Sequence, residues 1–292
     1  MKILLLGNTG QVGWELHRTL HTLGELTAVD YPQINLGDPT NIRYVVQTAQ
    51  PDIIINATAY TDVDNAESQP ELALAVNGSG VGILAEETKK CGAALIHYST
   101  DYVFDGSKGE PYTERDQPNP LSVYGATKLA GERAIQDTEG AYLIIRTSWV
   151  YSLRRSCFVT KVLQWARQHE TLRIVDDQVS SPTWARTLAE STAQVIAQGR
   201  EQAVDYIQEN GGLFHLAGGG SCSRYEWAQT ILALDPNQEQ QLVKEIIPAK
   251  TIDFPTAAER PLVSVLSNQQ FTDTFKIGSG TWQTALSLMM QG

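Results

Sequence analysis

Tyr124 and Lys128, in Tyr124-Gly125-Ala126-Thr127-Lys128, form the only Tyr-x-x-x-Lys pair among the 11 tyrosines of the chain. Spacing i, i+4 puts both side chains on one face of a helix. A free phenol titrates at about pH 10, too high for efficient acid–base work. A neighbouring ammonium stabilises the phenolate and draws that value toward neutrality, which makes the pair a candidate proton donor to a reduced carbonyl. The spacing alone is common, so position must support it. Support comes from Tyr98-Ser99-Thr100-Asp101-Tyr102, at the carboxyl end of a strand-like run. There the Thr100 hydroxyl can hydrogen-bond a substrate carbonyl and orient it against Tyr124. For Ser99 and Thr100 the other reading is a helix or turn cap.

A second chemical signal opens the chain. Gly7-Asn8-Thr9-Gly10-Gln11-Val12-Gly13 follows a first apolar run and precedes a helical pattern. Glycines at this spacing permit a tight turn and a close approach of backbone to a pyrophosphate, and a helix N-terminus offers free N–H groups. Asp30 ends the second predicted strand, 17 residues past Gly13, where a carboxylate would bind adenosine ribose hydroxyls and disfavour a 2′-phosphate. Its other reading is a solvated strand end. Asp38, before the second helix, either lies along the nucleotide base or caps the helix, and the two are compatible. Small residues in Asn56-Ala57-Thr58-Ala59-Tyr60-Thr61 leave room for a dinucleotide at the end of the third strand.

These groups need a scaffold that gathers strand ends. The first half alternates apolar runs, Lys2–Leu6, Leu26–Asp30, Ile53–Asn56, Ala94–Tyr98 and Tyr142–Arg146, with amphipathic stretches such as Gln11–Leu23 and Glu71–Lys90. That rhythm predicts βαβ units and an α/β fold, a Rossmann-like, doubly wound parallel sheet. After Trp149 it loosens into helix-like Cys157–Gln168, strand-like Leu172–Val175, a helix over Trp184–Gln198 and a strand over Gly212–Leu216. Residues 1–150 are therefore expected to form the dinucleotide-binding domain. Residues 151–292 are expected to form mainly a smaller C-terminal substrate-binding lobe, with returns to the first domain near 176–218.

Composition narrows the partners. The 292 residues are 42% hydrophobic and 19% charged, without an apolar run of membrane-spanning length. A formal charge of −11 argues against nucleic-acid binding, though a few local arginines and backbone N–H groups suffice for an anionic small molecule. Three scattered cysteines, Cys91, Cys157 and Cys222, fit neither a disulfide framework nor a metal pair and suit a reducing cytoplasm.

With these motifs in order, the chain resembles the extended short-chain dehydrogenase/reductase superfamily and, within it, the dTDP-4-dehydrorhamnose reductase family. The stretches that carry the likeness, over residues 1 to about 285, are GNTGQVGWEL, NATAYTDVDNAE, HYSTDYVFDG, PLSVYGATKLAGE, RTSWVY, FHLAGGGSCSRYEWA and ERPLVSVL. The resemblance implies reduction of the C4 ketone of dTDP-4-dehydro-L-rhamnose, the last step in supplying dTDP-L-rhamnose for polysaccharide, with NADPH and, given Asp30, NADH also accepted. It implies Tyr124 as proton donor, Lys128 as its partner and ribose ligand, and Thr100 as the third catalytic residue. Cofactor contacts are expected at Gly7, Thr9, Gly10, Gln11, Val12, Gly13, Asp30, Asp38, Ala59, Tyr60, Thr61 and Tyr98, besides Tyr124 and Lys128. Substrate contacts are expected at Thr100, Asp101, Tyr124, Trp149 and Arg260. Trp149 has a second reading as a core aromatic. Arg260 either pairs with the diphosphate or forms a surface salt bridge.

The chain also departs from the pattern. Some relatives hold Mg²⁺ at a dimer contact. Glu15 matches one such position but Arg186 stands at the second, so no metal is expected and a monomer stays open beside a homodimer. Ser152-Leu153-Arg154-Arg155-Ser156-Cys157 stands where the family is usually richer in Gly and Asn, and Gln178-Val179-Ser180-Ser181-Pro182-Thr183 lacks an expected glycine, both in the substrate lobe. Two rivals remain. One is another sugar-nucleotide reductase, dehydratase or epimerase, although dehydratases place Glu where this chain has Tyr102. The other is a non-catalytic regulatory subunit like the methionine adenosyltransferase β subunit, against which an intact Thr100, Tyr124 and Lys128 argues.

Overall fold

The computed structural model describes residues 1–291. Its centre is a six-stranded parallel sheet. The first five strands are β1 (Lys2–Leu6), β2 (Glu25–Val29), β3 (Ile53–Asn56), β4 (Ala94–Thr100) and β5 (Ala141–Thr147). Short strands β6 (Val150–Tyr151), β7 (Thr171–Val175), β8 (Val179–Ser180) and β9 (Thr183–Trp184) follow, and then β10 (Gly212–His215). The sheet order is β10-β5-β4-β3-β1-β2, so the winding reverses between β1 and β3. In open α/β sheets a ligand crevice lies at that reversal, outside the carboxyl ends of the strands.

The apolar runs form strands because both faces of this sheet are covered, which demands a nearly continuous hydrophobic sequence. Successive side chains go to opposite faces. Ile3, Leu5, Ile53, Ile55, Ile96 and Ile145 join Leu16 and Leu20 of α1 (Gln11–Leu20) in one core. Leu4, Leu6, Ile54, Leu95 and Ile144 face Ile42 and Val46 of α2 (Pro39–Ala49) in the other. Further along lie α3 (Val63–Ser68), α4 (Pro70–Leu74), α5 (Gly80–Lys90) and α6 (Val123–Asp137). The amphipathic stretch Glu71–Lys90 thus folds as two helices, α4 and α5, joined by a widened π turn at Ala75–Ser79. The wide turn sets the buried Asn77 against the backbone of Tyr60, a tertiary demand that periodicity does not register.

Beyond β5 come α7 (Phe158–Ala166), α8 (Ala185–Gly199), α9 (Ala203–Asn210), α10 (Arg224–Ala233), α11 (Gln269–Phe275) and α12 (Trp282–Gln291). Two last strands, β11 (Cys222–Ser223) and β12 (Glu245–Ala249), pair with β8 and β7. Helices α7, α10 and α12 close a separate core around Trp227, Tyr151, Val162 and Leu286. By contrast Leu188 and Val195 of α8, Phe214 of β10, and Phe271 and Phe275 of α11 belong to the first core of the sheet. The chain therefore returns to the sheet twice, the second time through α11. Among the described residues no helix is long and apolar enough to cross a membrane.

Candidate functional site

The turn after β1 is built for close approach. A Cβ on Gly13 would lie 1.9 Å from the Gly7 carbonyl oxygen, so only glycine lets α1 sit against the turn. Gly10 caps α1 without any side-chain hydrogen bond, and the first turn holds no acidic residue. Its N–H groups and dipole are thus available to an anion such as a pyrophosphate. Ala57 and Thr58 line the same crevice from β3, and Asn77 fixes the Tyr60 peptide with bonds of 2.8 and 3.0 Å.

Asp30 lies one residue past β2, beside this turn. Its Oδ2 accepts from Thr9 N at 3.0 Å and Thr9 Oγ1 at 2.5 Å, and its Oδ1 from Tyr31 N at 2.8 Å. Burial raises this carboxyl, but Thr9, Tyr31 and the charge of Arg155 outweigh it and leave it below the usual range. Arg155 reaches in from the second half of the chain, with Nε 2.9 Å from Thr9 O and Nη2 2.8 Å from Thr9 Oγ1. Ser152 Oγ likewise donates to Gln11 Oε1 at 3.0 Å. Asp38 caps α2, its Oδ1 accepting from Thr40 N and Asn41 N, which is the capping alternative realised.

The Tyr-x-x-x-Lys segment opens α6. Ser122 Oγ and Glu67 Oε1 cap its first N–H groups. A Cβ on Gly125 would fall 2.1 Å from the Tyr102 carbonyl oxygen, so glycine brings the helix against the end of β4. There the Tyr124 ring meets the Tyr102 ring edge-on, with centroids 5.8 Å apart. Burial pushes the Tyr124 phenol well above its ordinary value, although the nearby Thr100 hydroxyl favours the phenolate. A phenol that keeps its proton is the right form to neutralise an alkoxide. Thr100 Oγ1 in turn accepts from Tyr102 N at 3.1 Å and donates to Asp101 Oδ1 at 3.2 Å. Ser99 makes no cap, for its buried hydroxyl has no partner among the described residues.

Lys128 is buried one turn on. Its Nζ donates 2.7 Å to the Tyr98 carbonyl and lies 3.1 Å from His97 Nε2. Burial pushes its ammonium down to about 8, with Glu132 pulling the other way. The direct lowering of the phenol by this lysine, expected from spacing, is therefore not what the arrangement holds: the lysine faces β4. The Tyr98 side chain points into the core and bonds Thr192 at 2.6 Å, so only its carbonyl attends the site.

Residues expected on the substrate side separate into two sets. The carboxylate of Asp101 is buried and occupied, accepting from Ser264 Oγ at 2.5 Å and Ser180 Oγ at 3.3 Å, and burial lifts it to about 6. Arg260 is bidentate to Asp64, at 3.1 and 2.6 Å, and so ties its loop to α3. Trp149 adopts φ +41°, a left-handed conformation that sets its ring parallel to Trp227. Arg224, which the sequence did not single out, stacks 3.6 Å above Trp149 and 4.8 Å from Phe158. Burial brings its guanidinium down to about 10, while Tyr102 and Asp101 oppose that. Asn77, His97, Arg155 and Arg224 were all missed, because each acts through a contact remote in sequence. Glu15 is paired with Arg186 at 3.3 Å, and no cluster of three or more metal-ligating side chains occurs among the described residues.

The chain and its fold match known proteins over their whole length. A family described as the RmlD substrate binding domain matches residues 1–292. A dTDP-4-dehydrorhamnose reductase of Burkholderia thailandensis is 41% identical, with 100% of this chain and 98% of that protein covered. The crystal structure of a Clostridium acetobutylicum dTDP-4-dehydrorhamnose reductase superposes with a TM-score of 0.90 at 34% identity, covering 100% and 99% of the two chains. The Bacillus anthracis enzyme of that name, solved in complex with NADP, gives 0.88 at 30% identity, with 100% and 99% covered. A family match over the whole chain, 41% identity to a full-length relative and a shared fold together show that this chain belongs to the RmlD substrate binding domain family.

Proposed function

We propose that the protein reduces the C4 ketone of dTDP-4-dehydro-L-rhamnose to dTDP-L-rhamnose in the cytoplasm, the last step of dTDP-rhamnose biosynthesis. The observation that carries this is the meeting of Thr100 and a protonated Tyr124 at the crevice that the Gly7–Gly13 turn opens. A nicotinamide held there supplies the hydride. This chain supplies orientation and the proton: Thr100 aligns the carbonyl, and Tyr124 protonates the C4 alkoxide. Tyr102 stands where a dehydratase would need a second carboxyl, which favours simple reduction over elimination.

The uncapped N-terminus of α1 fits the pyrophosphate and Asp30 the ribose, while the guanidinium of Arg155 beside Thr9 fits a 2′-phosphate. We therefore assign NADPH as cofactor, with NADH accepted. Residues 151–292 are assigned mainly to the substrate lobe, with the returns noted above. In that lobe Arg224 is the guanidinium without a carboxylate partner near Trp149, and it suits the substrate's diphosphate better than Arg260, which Asp64 occupies. Incubating the purified protein with dTDP-4-dehydro-L-rhamnose and either reduced cofactor tests the assignment: nicotinamide oxidation with formation of dTDP-rhamnose is expected, and no oxidation of either cofactor would refute it.

A further inference from the structure

His97 is fully buried on β4 between Asn56 of β3 and Lys128 of α6. The orientation of Asn56 is fixed from its other side. Its Oδ1 accepts from Thr58 N at 3.0 Å and Thr58 Oγ1 at 2.6 Å, and a backbone N–H can only donate. The atom 3.1 Å from His97 Nδ1 is therefore the Asn56 amino nitrogen, a donor. Nδ1 must accept, and a neutral imidazole then carries its one proton on Nε2. That N–H points at Lys128 Nζ, 3.1 Å away. Only a neutral amine has a lone pair to receive it, because an ammonium is all donor. An imidazolium is no escape, since it would set N–H against the Asn56 amino group.

We propose that His97, locked by Asn56 in the Nε2–H form, is a positioning residue that docks Lys128 only as a neutral amine and turns its ammonium away, toward Tyr124 and the cofactor crevice. The charge that assists Tyr124 is then delivered by release of the lysine from β4. The neutral amine still donates to the Tyr98 carbonyl, which anchors it in the docked position. The surroundings agree. Burial drives Lys128 down to about 8 and His97 well below its ordinary value. On its own helix Lys128 faces Tyr124 and Glu132, and Glu132 is spent on Arg146 of β5. From β4 it meets His97 and a carbonyl, and β3 acts on it only through Asn56.

The inference rests on Tyr124 and Lys128 as the reacting pair, but its test needs neither substrate nor turnover, so the two can fail separately. In the full-length protein without cofactor, imidazole ¹⁵N shifts of His97 should show Nε2–H from about pH 6 to about pH 9. An Nδ1–H tautomer or an imidazolium would overturn the proposal. Titration of ¹³C-labelled lysine gives the second readout. Asn56→Asp keeps the acceptor for Thr58 but offers His97 Nδ1–H a carboxylate, freeing Nε2 to accept from an ammonium. Lys128 should then titrate at least about one unit higher than in the parent. An unchanged lysine titration in a folded Asn56→Asp protein would equally overturn it.

Discussion

Tyr124 holds its proton because burial costs the phenolate more than the Thr100 hydroxyl returns. Tyr124→Phe keeps the edge-on packing against Tyr102 and removes only the proton, so turnover should fall by ~10²–10⁴. NADPH binding, followed by fluorescence, should persist, and turnover near the parent rate would rule out Tyr124 as donor. At the other end of the crevice, Arg155 is bonded to Thr9 through its Nε and Nη2. Replacing it by Ala should weaken NADPH roughly tenfold while leaving NADH nearly unchanged, a difference of about 1.4 kcal/mol that calorimetry resolves. Equal losses for the two cofactors would count against a 2′-phosphate role. The contrast between these residues explains what was legible. Tyr124 and Lys128 share one helical turn, and Thr100 sits at a strand end, so local spacing encodes them. Arg155 meets Thr9 from 146 positions away, and Arg224, beside Trp227 of its own helix, gains the rest of its setting from the remote rings of Trp149 and Phe158, so local spacing marks neither arginine as a site residue.

At the scale of elements, α6 carries the proposed reacting pair, Tyr124 and Lys128. Tyr124, Lys128 and Glu132 recur every four residues and form one stripe facing the sheet. Glu132 fastens that stripe to β5 by two bonds to Arg146, 2.9 and 2.6 Å long, both side chains being buried. Glu132→Ala would strand a buried guanidinium and should cost about 3–5 kcal/mol in urea unfolding. Glu132→Gln, which keeps an acceptor, should cost less. If the two variants lose equally little, the pair does not hold the helix. Such cross-element ties were invisible in the sequence, whereas the strands were plain. A parallel sheet covered on both faces requires unbroken apolar runs such as Ile53-Ile54-Ile55, and these announce themselves. The split of residues 71–90 was hidden because Asn77 is drawn out of helical register by the Tyr60 backbone.

For the molecule as a whole, the site is a cost that the rest of the fold carries. Lys128 titrates at about 8 in the folded chain against its ordinary value of 10.5. Below pH 8 both the folded and unfolded states hold this proton, and the folded chain bears the full cost of the charge, its desolvation together with its exclusion from the His97 contact. Between pH 8 and pH 10.5 the folded state has released it while the unfolded state has not, so stability rises with pH across that window. The shift corresponds to roughly 3 kcal/mol at neutrality. Lys128→Met removes that penalty but also the bonds to Tyr98 and His97, each worth about 1 kcal/mol. The variant should therefore lose activity yet be more stable than the parent by about 1–2 kcal/mol near pH 7. That advantage should vanish near about pH 9 and reverse by about 1 kcal/mol toward about pH 10, where the parent lysine is already neutral yet keeps both bonds. Urea unfolding at the two pH values measures the difference directly. A variant no more stable at pH 7, or one whose gain does not depend on pH, would mean that Lys128 rests on these neighbours without cost.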